Sequence, residues 1–190
     1  MADSKETNKP FDEKNRMIFL HGDMDEDSCS KVVEKLLEYE CKCPTKDILL
    51  YIDSGGGLAD GFISIHDTIK MLRCPVVTIC IGTSMSAAAL LLMSGQQGKR
   101  FITPNSRVML HELASGSVGK VTELETDVVE VKRMQQVCEK LILRYTKINK
   151  QQLKTLMEKD SYMTARQAQK FGIVDHVVHS SEDLYSRISL

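Results

Sequence analysis

Two unbroken apolar runs, Ile48–Ile52 (ILLYI) and Val76–Ile81 (VVTICI), constrain the fold of this 190-residue chain most strongly. A strand with one solvated face alternates apolar and polar residues, so a run without alternation is covered on both faces. Such strands occupy the middle of a largely parallel sheet with helices packed on it. Two more short runs, Met17–His21 (MIFLH) and Val108–His111, also read as strands. Between them lie helical patterns: Asp27–Tyr39, with apolar residues at 29, 32, 33, 36 and 37, and a stretch over Leu58–Leu72. Ala87–Met93 (AAALLLM) is apolar all round and too rich in Ala and Leu for a strand, which predicts a buried helix. The alternation predicts an α/β domain whose site lies beyond the carboxyl ends of the strands.

From Lys120 to Lys147 there is no proline or glycine, and apolar residues fall at 121, 124, 128, 131, 134, 138, 141 and 145. That spacing predicts one helix of about 28 residues, about 42 Å long at ~1.5 Å per residue. A projecting rod with an apolar stripe needs a partner, so an oligomer is expected. Helices at Lys150–Lys159 and Thr164–Phe171, a cap at Gly172 and a strand over Ile173–Val178 complete the pattern. Residues 1–15 are polar and predict a flexible arm before a single domain over 16–190; they lack the apolar core of a secretory signal. No apolar run reaches the ~18 residues of a membrane span. Lys plus Arg number 25 against 26 Asp plus Glu, so no basic excess points to nucleic acid. The six cysteines include no C-x-x-C and no zinc-like Cys/His spacing, and read as free, buried thiols in a reducing, cytoplasmic compartment with no metal.

Ser86 stands where a buried strand meets the first turn of a buried helix. The N–H groups there have no partner within the helix, and the dipole is positive. A serine so placed is either an ordinary N-cap or a nucleophile whose neighbour Ala87 donates its N–H to an oxyanion. The Gly55–Gly57 run after the second strand can bring a second backbone N–H close, or it is a plain turn. Neither glycine signature for phosphate binding is present. A serine nucleophile needs a base and a group to orient it. His111 ends an apolar run at the same sheet edge, with His21 as the rival; Asp160, which stands between two helices and is otherwise an N-cap, and Asp175 are both candidate acids.

Five segments together resemble the ClpP family, the proteolytic subunit of ATP-dependent Clp protease. Arg16–Leu20 (RMIFL) is similar to the family's R-x-I-F-L, and Tyr51–Gly57 (YIDSGGG) to its Y-I-N-S-P-G-G. Gly98–Phe101 (GKRF), Pro104–His111 (PNSRVMLH) and Phe171–Asp175 (FGIVD) are close to three further family segments. The resemblance implies an α/β ClpP/crotonase-like fold of repeated β-β-α units with a projecting handle helix at about 120–147. It implies a serine endopeptidase with Ser86 as nucleophile, His111 as base, Asp160 as orienting acid, and the backbone N–H groups of Gly57 and Ala87 as oxyanion donors. It also implies a homo-oligomer of stacked heptameric rings that cleaves unfolded polypeptide. The subunit itself needs no cofactor; a partner AAA+ unfoldase uses ATP.

Several positions depart from the family. Its A-S-M-G-A becomes Met85–Ala89 (MSAAA), with a Ser-Met pair two residues early at Ser84. Ser84 would lie 27 residues from both Gly57 and His111, whereas Ser86 lies 29 and 25 away and fits both flanks without gaps. Ala88 adds a methyl expected to crowd the substrate channel. Gly55 replaces a proline, Glu112 and Leu113 replace Gln and Pro, and Lys159 replaces an arginine. The family's axial-loop segment has no clear counterpart in residues 1–15. These departures keep open a catalytically weak or inactive ring subunit and, as a third reading, a crotonase-type acyl-CoA enzyme.

Overall fold

The computed structural model describes residues 11–12 and 15–189. The N-terminal half runs β1 (Phe11–Asp12), β2 (Met17–Met24), α1 (Glu26–Lys42), β3 (Ile48–Gly57), α2 (Ala59–Met71), β4 (Val76–Met85) and α3 (Ala87–Met93). Then follow β5 (Arg100–Ile102), β6 (Arg107–Leu110), α4 (Val121–Tyr145), α5 (Lys150–Met157), β7 (Ser161–Thr164), α6 (Ala165–Lys170), β8 (His176–Val177) and α7 (Ser181–Tyr185). Most of the expected flexible arm, residues 1–10 and 13–14, lies outside the described residues; Phe11 and Asp12 pair with β2.

β2, β3 and β4 form a parallel centre, and β4 forks. Its first half, Thr78–Cys80, pairs with β5, whereas its second half, Thr83–Met85, pairs with β6. The apolar runs are buried on both sides, as their lack of alternation requires. Ile48, Leu50 and Ile52 face the main core under α1, α2 and α3, and Leu49, Val77 and Ile79 face a smaller one. Leu184 of α7 belongs to that smaller core, and the chain end is held by Asp47 through Ser189. Arg16 is buried beneath the end of α1, where its guanidinium donates to the carbonyls of Tyr39, Cys43, Lys46 and Asp47. The guanidinium thus ties the last turn of α1 to the segment that leads into β3.

Four expectations need correction. The three glycines do not form a turn; β3 continues through Gly57. Asp160 does not open a helix, because the short strand β7 intervenes and Thr164 caps α6. The last strand is only His176–Val177, and α7 follows it. Cys41 is exposed rather than buried. Among the described residues no helix is long and apolar enough to cross a membrane, and no group of three or more acidic, His or Cys residues is arranged to hold a metal.

Candidate active site

The fork in β4 builds the site. β6 lies between β4 and β7, parallel to the first and antiparallel to the second. Its carboxyl end carries His111, the end of β4 leads to Ser86, and Asp160 directly precedes β7. The Leu110–Ser161 pairing and the hydrogen bond from Ser86 N–H to Met109 O (3.0 Å) set the three residues side by side. Residues 25 and 49 positions apart in sequence (86 to 111, 111 to 160) are joined by strand register alone.

Ser86 has φ 53° and ψ −126° and makes no side-chain cap to α3. Its hydroxyl instead lies 2.7 Å from His111 Nε2. A non-glycine residue with positive φ is strained, and its surroundings must impose the conformation. Here the turn throws the hydroxyl outward, away from capping. Ser84 is fully buried and donates its hydroxyl to Ala88 O at 2.9 Å, so it is committed to the interior. His111 Nδ1 lies 3.8 Å from Asp160 Oδ1, an ion-pair distance longer than a hydrogen bond, and the Asp160 side chain is 61% exposed.

The rival residues are engaged elsewhere. His21 pairs with Asp53 at 3.2 Å, and Asp175 pairs with Arg100. Asp53 also accepts from the backbone N–H of Thr83 (3.0 Å). It sits where the register of β3 shifts against β4, and Gly22 marks a matching shift in β2. Such bulges re-aim a strand end. The result is a close approach: a Cβ on Gly56 would lie 2.8 Å from Ser86 Cβ and 3.1 Å from Ala87 N. The backbone at Gly56 therefore runs against the Ser86 turn, and Gly57 and Ala87 both border the cavity beside Ser86.

An apolar cavity of about 30 Å³ opens beside Ser86, between Phe62, Leu90, Leu110, Leu113, Cys138 and Met157. That is room for roughly a water or two. Ala88 does not line it; its methyl is buried in the core, contrary to the expected crowding. Gln135 was not singled out from sequence. Its Oε1 accepts from Leu113 N–H at 2.8 Å and its Nε2 donates to Glu139 at 2.9 Å, which ties the segment after His111 to α4. A polar residue on the apolar side of a predicted helix was the available signal.

A hydroxyl against an imidazole with a carboxylate behind it can activate an oxygen nucleophile. The family model described as Clp protease matches residues 7–181, nearly the whole chain. With its forked parallel sheet and projecting α4, this chain belongs to the Clp protease family, whose fold is of the ClpP/crotonase type.

Proposed function

We propose that this chain is a serine endopeptidase subunit that hydrolyses peptide bonds of unfolded polypeptide inside an oligomeric chamber. Ser86 Oγ attacks the scissile carbonyl carbon while its proton passes to His111 Nε2. The oxyanion is held by the N–H groups of Gly57 and Ala87. As the C–N bond breaks, His111 returns the proton to the leaving amine, and water then hydrolyses the acyl-enzyme by the same route. Asp160 keeps the imidazole in the tautomer with its proton on Nδ1. No cofactor enters this chemistry. In this reading the subunits form stacked rings, an AAA+ unfoldase that consumes ATP delivers substrate, and the assembly works in the cytoplasm.

The observation that carries the reading is the 2.7 Å contact between Ser86 and His111 beside an apolar cavity. The test is turnover of a fluorogenic peptide with an apolar residue before the scissile bond. Ser86→Ala should lower kcat by on the order of 10⁴-fold or more with folding retained. Ser84→Ala should keep the turnover of a folded enzyme. A Ser86→Ala protein as active as wild type overturns the assignment. A second reading, a weak or inactive ring subunit, is favoured by the 3.8 Å gap to Asp160. It predicts no labelling of assembled protein by a fluorophosphonate, and an Asp160→Asn variant no different from wild type. An orienting Asp160 instead predicts a loss approaching about 10⁴-fold.

A further inference from the structure

A second cleft, of about 490 Å³, lies where the ends of α4 and α6 meet β5 and β8, away from Ser86. Arg100, Arg144, Lys147, Arg166 and Lys170 line it, and Asp175 is its one acidic side chain. Asp175 is already satisfied. Its Oδ1 accepts from Arg100 Nη2 at 2.6 Å, and its Oδ2 from Arg100 Nε and the backbone N–H groups of Gly98 and Arg100. That leaves four cations with no ion-pair partner among the described residues, in a chain whose formal net charge is -1.

Helix termini explain only part of this. Arg144 and Lys170 occupy last turns, where the negative end of the dipole favours a cation. Lys147 lies beyond α4, and Arg166 stands in the first turn of α6, where the dipole opposes it. The positive field reaches inward. Lys70, over the Tyr145 ring at 4.5 Å, has its ammonium pKa lowered first by burial and then by Arg144 and Arg100.

We propose that this cleft binds a small polyanion bearing a di- or triphosphate group. Guanidinium forks match phosphate oxygens bidentately, lysines add point charges, and the volume falls within the ~300–1,000 Å³ of small-molecule sites. The site is independent of the peptidase reading, because its readout is binding.

The test is calorimetry on the full chain in its native assembly, with inorganic tripolyphosphate in one arm and ATP in the other, and sulfate at matched ionic strength as the control. Tripolyphosphate should bind below about 1 mM, and Arg144→Glu with Arg166→Glu should weaken it about tenfold or more. Equal binding of both probes assigns recognition to the phosphate chain; tighter binding of ATP adds a nucleoside contact. No heat above the sulfate control, or binding indifferent to the double substitution, overturns the proposal. So does a double variant whose sedimentation changes while wild-type protein binds neither probe, because the cations then face another copy of the chain.

Discussion

Gly57 and Gly55, two residues apart in one strand, have opposite requirements. Gly57 has φ 152°, and a Cβ there would lie 2.4 Å from Met24 O. Gly57→Ala should therefore displace the backbone that faces Ser86, lowering both peptide turnover and Tm. Gly55 has open space around it and no positive φ. An alanine there removes freedom from the unfolded chain, so Gly55→Ala should stabilise by ~0.4–1 kcal/mol. Differential scanning calorimetry of the two variants checks both signs. A fall in Tm for Gly55→Ala as large as that for Gly57→Ala would show that this end of β3 tolerates no side chain at either position.

At the scale of elements, α4 has two different halves. Toward its end Cys138 and Ile142 are buried in the core, and Gln135 holds the segment after His111. Toward its start Val121, Val128 and Val129 are 72%, 51% and 68% exposed. Three valines that turn to solvent along a helix lose the stabilisation of burial, about 25 cal/mol per Å² of apolar area. In the proposed assembly this stripe is covered by another subunit. Val128→Asp with Val129→Asp should then lower the sedimentation coefficient and leave the far-ultraviolet circular dichroism of the subunit unchanged. An undiminished coefficient would place the subunit contacts elsewhere.

For the whole molecule, acid should be the weak direction. Burial pushes Asp175 up, but the Arg100 guanidinium and the backbone N–H groups of Gly98 and Arg100 outweigh it and hold the carboxyl below its ordinary 3.8. A lowered carboxyl contributes stability that is full above the unfolded value and is lost as pH falls through the folded one, so this loss belongs below about pH 4. His66 acts earlier. Burial holds its imidazole below 6.5 against the pull of Asp67, so the fold favours the neutral ring and stability declines as pH drops below 6.5. Asp175→Asn leaves Arg100 buried without its counter-charge and should cost about 3 kcal/mol at pH 7. It should also flatten the remaining loss below pH 4. Urea midpoints measured from pH 7 to pH 3 test both; an unchanged slope would remove Asp175 from the acid response.

Much of this was written locally. The buried strands, α1, α2, α3 and the length of α4 follow from apolar periodicity, which depends on neighbours a few residues apart. Other elements did not follow from it. The three-residue β5, the four-residue β7 and the five-residue α7 span no more than about two periods of their patterns, too few for a periodicity to stand out. The spacing to Gly57 and His111 favours Ser86, but the outward turn at Ser86, with its φ of 53°, and the inward hydroxyl of Ser84 were invisible. The sequence by itself determined a layered α/β chain and which residue types were available for chemistry. Only the tertiary structure decided that β4 forks, that the Ser86 hydroxyl turns outward to within 2.7 Å of His111, and that Asp160 stands 3.8 Å behind it. The physical reason is that strand order and register are contacts between distant segments, which no local pattern encodes.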